Sequence, residues 1–170
     1  MMRIGIIIVC HNIEKNINID LFVKHLNKAE NLELCFVNNA SKDKTHQILK
    51  DIKEISKKNF SILDIKKFKS DTSAIRSGAR FMFNHFDLSH IGYVSTNLLN
   101  NKIYSFSNLI KEIRMHQDVI LKYNANVKEK TKMKQTLFQS VFSITEYLEK
   151  LKNNNQVLVL RNTTQRIIKP

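Results

Sequence analysis

A continuous apolar run near the start of the sequence restricts the fold more than any other feature. Residues 4–10, IGIIIVC, carry no charged side chain, and the run is too short to span a bilayer. Strands without polar alternation are typical of parallel sheets whose two faces are both covered. We therefore predict a buried β-strand here. No small-residue cleavage site follows, so a signal peptide is not indicated.

Helix and strand patterns alternate after this run. Further strands are predicted over residues 32–37, 60–65, 90–95 and 118–124, with helices from Asp20, after Ser41 or Asp43, along residues 75–86 and over residues 106–116. A β-α-β alternation with short connections is typical of helices packed on both faces of one sheet. The sequence thus predicts a three-layer α/β domain with a mostly parallel sheet.

Length and composition indicate how many domains the chain forms and which classes of partner it can bind. A chain of 170 residues, 42% of them hydrophobic, can form one domain with its own core. The net charge of +13 fits either a polyanion-binding surface or a general bias toward Lys. Because no basic block is interleaved with aromatic residues, we expect no nucleic-acid partner. Cys10 and Cys35 lie in apolar runs without C-x-x-C spacing, which favours reduced thiols and a cytoplasmic location.

The pattern changes beyond about residue 125. Apolar residues recur at spacings of three and four from Met133 to Leu151, which predicts a long amphipathic helix. Its apolar face can dock on the sheet, form the seam of a homodimer, or lie peripherally on the inner face of a membrane. A last strand is predicted over residues 156–160.

Polar side chains gather at the predicted carboxyl ends of four strands. The four groups are His11-Asn12, Asn38-Asn39-Ala40-Ser41, Phe68-Lys69-Ser70-Asp71 and Ser95-Thr96-Asn97. The carboxyl ends of parallel strands meet at one edge of a sheet, where ligands usually bind. A small-molecule pocket is therefore expected at this edge.

The order and spacing of these segments resemble the family 2 glycosyltransferases, which have a GT-A fold. IIIVCHNIEKNI is similar to the family pattern VVIPTYNEEKNI, LCFVNNASKDKTHQIL to IIVVDDGSTDGTxxIL, and DTSAIRSGARFMFN to GxxxARNxGIxxA. The resemblance covers about residues 3–124. It implies a GT-A-like, nucleotide-sugar-binding α/β core over residues 1–124, with residues 125–170 as a shortened acceptor-side segment of the same domain.

The same resemblance implies roles for individual residues. The candidate nucleotide-binding residues are His11, Asn12, Glu14, Asn38, Ser41, Asp43, Lys69 and Arg76. Asn38 stands where the family has a base-binding acid, and an amide can still accept and donate hydrogen bonds there. His11 can stack on a base, and Lys69 can reach a diphosphate. Ser41 and Asp43 can equally serve only to cap the next helix.

One loop departs from the family pattern. Where the family has D-x-D, which ligates a divalent metal, this chain has Ser95-Thr96-Asn97. Hydroxyl and neutral amide groups are poor ligands for Mg²⁺ or Mn²⁺, so the loop predicts a degenerate motif with no metal site and no certain cofactor. The acids after Asn97 lie in no recognisable motif, and no catalytic residue is identified.

Two functions follow from the resemblance. One is transfer of a sugar from a nucleotide-diphosphate sugar to a glycan or lipid-linked acceptor in polysaccharide or glycan biosynthesis, without a metal. The other is a catalytically inactive binding or regulatory module, which the altered loop and the short acceptor side favour. A polyanion-binding protein, a third reading, rests on net charge alone.

Overall fold

In the part of the chain that the computed structural model describes, five strands form one parallel sheet, in the order β3-β2-β1-β4-β5. They are β1 (Ile4–Cys10), β2 (Leu32–Asn39), β3 (Ser61–Ile65), β4 (His90–Ser95) and β5 (Val141–Ser143). The structure describes residues 4–29, 31–88, 90–96, 106–120, 122 and 141–150. The predicted α/β class with a mostly parallel sheet is confirmed.

The central position of β1 explains its composition. It pairs with β2 on one side and β4 on the other, and all seven of its residues are buried. Ile4, Ile6 and Ile8 face one core, whereas Ile7 and Val9 face the other. A strand covered on both faces needs apolar side chains at every position, as the sequence has here.

Helices cover both faces of the sheet. They are α1 (Ile19–Leu26), α2 (Thr45–Ile55), α3 (Asp71–His85) and α4 (Phe106–Met115), with a further helix over residues 144–150. The apolar residues of α1, α2, α4 and the last helix join one core, and those of α3 join the core on the opposite face. The predicted three layers are therefore present.

Helix α3 approaches the sheet closely at Gly78. A Cβ atom at this position would lie 2.7 Å from Cγ2 of Ile7 and 3.0 Å from Cγ2 of Val37. Each methyl group is attached to the Cβ of a β-branched side chain, close to the backbone of β1 or β2, and has little room to move. Glycine thus sets the depth at which α3 packs and brings the start of this helix to the carboxyl edge of the sheet.

Two sequence predictions are wrong in this half of the chain. Residues 117–120 and 122 are helical, not part of a strand over 118–124, and the Ile120 N–H donates to the His116 carbonyl at 2.9 Å. Short apolar runs fit a buried helix as well as a strand, and Ile120 is buried in the core.

The second error concerns the long helix predicted from residue 133. Residues 141–143 form β5, which pairs with β4, and the helix begins only at residue 144. Pairing covers the edge of β4, which would otherwise leave backbone groups open. The rest of that predicted helix and the predicted strand over 156–160 lie outside the described residues.

Both cysteines are free and buried. Burial raises the pKa of the Cys35 thiol to about 12, and burial together with the nearby Cys35 raises the pKa of Cys10 further. These thiols are therefore core residues with no nucleophilic role. In the part of the chain that the structure describes, no helix has the length and apolar character needed to cross a membrane.

Candidate functional site

A cavity of about 430 Å³ opens at the carboxyl edge of the sheet, where a ligand site was predicted. It is lined by side chains from the loops after β1, β2 and β3, namely His11, Ala40, Ser41, Lys42, Lys66 and Phe68. Two of the predicted nucleotide-binding residues, His11 and Ser41, therefore lie in its wall.

Two of these loops, residues 11–14 and 40–45, are joined by hydrogen bonds between side chains and backbone, an arrangement we call the loop clasp. The Asn12 N–H donates to Ser41 Oγ at 3.1 Å, and the Lys42 N–H donates to Asn12 Oδ1 at 2.8 Å. Both bends need a left-handed backbone, with φ of 51° at Asn12 and 52° at Ala40. Asn tolerates this region readily, whereas Ala does so at a cost.

Two carboxylates complete the clasp. Asp43 accepts from the Glu14 N–H at 3.1 Å, and Glu14 accepts from the Lys44 N–H at 2.6 Å. Asp43 also accepts from the Thr45 N–H at 3.0 Å, at the first residue of α2. Burial alone would raise the pKa of Asp43, but the hydrogen bonds from Thr45 and Glu14 outweigh it and lower this pKa.

The clasp shows what Ser41 and Asp43 contact within the protein. Asp43 binds the free N–H at the start of α2, as a capping group does, but Ser41 binds Asn12 and does not cap the helix. All five predicted residues in these loops, including His11 and Glu14, have partners within the protein. Their observed contacts hold the cavity wall in place, and their contact with a nucleotide stays a prediction.

His11 is fixed through both ring nitrogens. Nδ1 lies 2.8 Å from the Asn39 carbonyl oxygen and must donate to it. Nε2 lies 3.1 Å from Asn12 Nδ2, whose orientation is fixed because Oδ1 of the same amide accepts from Lys42. In this geometry Nδ1 of His11 therefore donates and Nε2 accepts.

Asn39 also fixes the loop after β3. Its side chain donates to the Lys69 carbonyl at 2.7 Å and accepts from the Lys69 N–H at 3.0 Å. The Lys69 side chain is exposed beside the site. Arg76, a candidate nucleotide-binding residue, is exposed on α3, but among the described residues it is not part of the cavity lining.

Asn38 is buried and paired with the carboxylate of Asp64, which was not among the residues predicted from the sequence. Its Nδ2 donates to Asp64 Oδ1 at 2.6 Å, and the two residues lie opposite each other in β2 and β3. Its Oδ1 is buried with no hydrogen-bond partner among the described residues. Asp64 also accepts from Lys66 Nζ at 2.8 Å, and hydrogen bonds from Lys66 and Asn38 lower the pKa of Asp64 despite its partial burial. The signal for Asp64 was a charge between the apolar residues Leu63 and Ile65 of β3.

The end of β4 carries the loop predicted to replace the metal-binding motif. Ser95 Oγ donates to Asp71 Oδ2, at the start of α3, over 2.6 Å. Thr96 is buried, its hydroxyl lacks a partner within the described ranges, and Asn97 lies outside them. Mg²⁺ and Mn²⁺ take several hard anionic oxygens, and no group of three His, Cys, Asp or Glu side chains suited to a metal occurs in the described part of the chain. The described residues do not fit such an ion.

Comparison with known proteins identifies the segment that contains this cavity. Residues 5–83 match the family model described as Glycosyl transferase family 2, which confirms the resemblance seen in the sequence and agrees with a GT-A-like α/β class. The matched segment runs from β1 into α3 and includes the loop clasp, Asn38 and Asp64. None of the curated proteins matches the sequence.

Two solved structures from S. aureus resemble part of the chain. The crystal structure of TarS 1–349 has 18% identity and a TM-score of 0.44, covering 56% of this chain and 28% of that one. The crystal structure of TarS has 17% identity and a TM-score of 0.43, covering 56% and 17%. This chain thus spans less than a third of either structure.

Proposed function

We propose that this chain, which contains a family 2 glycosyltransferase domain segment in residues 5–83, binds a nucleotide-diphosphate sugar and transfers the sugar to an acceptor hydroxyl. The observation that carries the proposal is that the family match and the cavity involve the same part of the chain. The family match falls on the same three strand ends whose loops enclose the cavity. A glycan or a lipid-linked sugar is the proposed acceptor, in polysaccharide or glycan assembly at the cytoplasmic face of a membrane.

Asn38 is the proposed contact for the nucleobase. Its Oδ1 is a buried acceptor without a described partner, whereas its Nδ2 is engaged by Asp64. A buried acceptor that lacks a donor is unfavourable, and a base N–H would satisfy it. Asp64 fixes the orientation of the amide, so that Oδ1 and not Nδ2 is the atom left without a partner among the described residues.

Lysine side chains are the proposed partners of the diphosphate. Lys42 and Lys66 line the cavity, and Lys69 is exposed on the adjoining loop. In the transfer, the acceptor hydroxyl bonds through its oxygen to the anomeric carbon and releases its proton to solvent, as the bond to the diphosphate oxygen breaks and the nucleoside diphosphate leaves. Flexible ammonium groups can stabilise the negative charge that develops on the leaving diphosphate.

A second candidate is a module that binds the nucleotide sugar without turning it over. The observation that favours it is the contact between Ser95 and Asp71, in which a neutral hydroxyl at the end of β4 binds the acid at the start of α3. Such a module would act as a partner of an active enzyme or of a second copy of this chain.

Calorimetric titration with UDP, GDP and their sugars, with and without Mn²⁺, tests the proposal. We expect binding to the wild type, weaker binding to Asn38→Ala and Lys66→Ala, and no change in Lys53→Ala, which removes an exposed cation from α2. If no nucleotide binds, the proposed function is wrong. Binding without release of nucleotide in the presence of acceptor would support the inactive module, and binding enhanced by Mn²⁺ would contradict the metal-free reading of residues 95–97.

A further inference from the structure

We propose that Phe68 is a base-stacking residue, and that with His11 it forms an aromatic corner of the cavity that selects ligands carrying a planar base. The inference rests on the proposed nucleotide site and names a determinant within it. The two rings contact each other edge to face, with centroids 4.8 Å apart and an interplanar angle of 61°. Both line the same cavity.

The exposure of Phe68 is the first argument. Its side chain is 60% exposed, although aromatic rings of this size gain substantial free energy from burial. Phe68 lines the cavity beside Ser41 and Lys42, whereas Phe83, which is equally exposed, lines a separate cavity with residues 84–88 near the end of α3. A planar ligand that covered the ring would remove this apolar surface from water.

The hydrogen bonds of His11 are the second argument. Both ring nitrogens are engaged within the protein, by Asn39 and Asn12. His11 therefore offers a ligand its ring surface, and it has no free donor for a phosphate or a sugar hydroxyl. Two aromatic surfaces at one corner suit the π-face of a base. Every base has such a face, whatever hydrogen-bonding groups lie on its edge, and it stacks on aromatic side chains.

The position of Phe68 is also well determined. Its neighbour Lys69 is held by two backbone hydrogen bonds to the Asn39 side chain, so the loop cannot swing away without breaking both. Lys42 and Lys66 lie in the same wall and give the cavity a cationic rim. An aromatic corner beside ammonium groups matches a ligand that joins a planar base to an anionic phosphate.

The test uses the absence of tryptophan from the chain. In Phe68→Trp the new indole is the sole tryptophan, and we expect UDP and GDP to quench its fluorescence while inorganic pyrophosphate does not. Phe83→Trp is the matched control, because Phe83 is 61% exposed but lies near the end of α3, and its fluorescence should not respond. By calorimetry, Phe68→Ala and Phe68→Leu should each bind nucleotide about 5- to 150-fold more weakly, since neither keeps the ring.

The outcomes separate this inference from the proposed function. If the wild type binds nucleotides and Phe68→Ala binds them equally well, Phe68 has no stacking role but the nucleotide site stands. If Phe68→Leu keeps the full affinity, the contact is only apolar and the stacking inference is wrong. If the wild type binds no nucleotide, the proposed function and the inference fail together.

Discussion

Ala40 turns the chain at the end of β2 in a conformation that favours glycine. Its φ of 52° lies in the left-handed region, where the Cβ atom crowds the following carbonyl at a cost of about 1–2 kcal/mol. Glycine removes this cost but loses part of the gain to its more flexible unfolded state. We expect Ala40→Gly to raise the free energy of unfolding by up to about 1 kcal/mol, measured by urea denaturation.

The matched control for this change is Ala79→Gly. Ala79 is buried in α3, where glycine weakens the helix by about 1 kcal/mol and also removes packing. The two substitutions should therefore shift the urea midpoint in opposite directions. A lower midpoint for Ala40→Gly would mean that the loop clasp does not impose the left-handed backbone.

Asn38 and Asp64 form a pair in which only one member can carry a negative charge. Asn38→Asp would place a second carboxylate where Nδ2 now lies 2.6 Å from Asp64 Oδ1. Loss of the hydrogen bond and repulsion between the two carboxylates should lower the free energy of unfolding at neutral pH by about 2–3 kcal/mol. The effect should shrink as the pH falls toward about 4, because one carboxyl then binds a proton.

Exchanging the two side chains gives the control. In Asn38→Asp/Asp64→Asn the donor and acceptor are reversed, so we expect more than half of the lost stability to return in the same denaturation experiment. A double variant as unstable as Asn38→Asp alone would show that the hydrogen bond between these residues contributes little.

At the scale of elements, the loop clasp should respond to acid through Asp43. Its pKa is lowered in the folded protein, so the ionised side chain contributes stability above the ordinary value of about 4 and loses it as the pH falls through the folded value. Asp43→Asn should be about 1–2 kcal/mol less stable than the wild type at pH 7, and the difference should narrow below about pH 4. Urea midpoints of the two proteins, measured across this pH range, test the prediction. A difference in stability that stays constant with pH would contradict it.

The regular elements were largely predictable from the sequence, because their signals are periodic and local. The apolar run of β1, the polar start of α3 at Ser70 and the apolar face of α3 each specify one element. The strand over 118–124 was wrong because a short apolar run fits either element when both would be buried. The position of β5 depends on the open edge of β4, which no local pattern encodes.

The candidate site was predictable in place but not in detail. The strand ends located the cavity, since parallel strands bring their carboxyl ends to one edge. The pairing of Asn38 with Asp64 and the contact of Phe68 with His11 join residues from different loops. Such contacts depend on register and side-chain orientation, so sequence spacing alone did not predict them.

At the scale of the whole molecule, the net charge of +13 opposes folding through repulsion between cations. One concentration of charge lies on α1, just after it at Lys28, and on α4. There burial and then the nearby cations Lys111, Lys24, Arg114 and Lys28 lower the pKa of His25. Raising KCl from about 10 mM to about 150 mM shortens the screening length from about 30 Å to about 8 Å. The wild type should therefore unfold at a higher temperature in the higher salt.

Lys24→Glu removes one of these cations from the exposed surface of α1. We expect it to stabilise the protein by a few tenths of a kcal/mol at low salt and to respond less to added KCl, because less repulsion remains to be screened. Lys53→Ala on α2 serves as a comparison outside this cluster. Equal salt dependence in Lys24→Glu and the wild type would show that the cluster does not contribute.

The central place of β1 in the sheet has a consequence for synthesis of the chain. Its partner β4 ends at Ser95, 85 residues after Cys10, so a ribosome adding 5–20 residues per second needs roughly 4 to 17 seconds to deliver it. During that interval one edge of an isoleucine-rich strand is open on the nascent chain, and such an edge can pair with other chains. The same seven residues that anchor the finished sheet thus make the emerging polypeptide a natural client for chaperones.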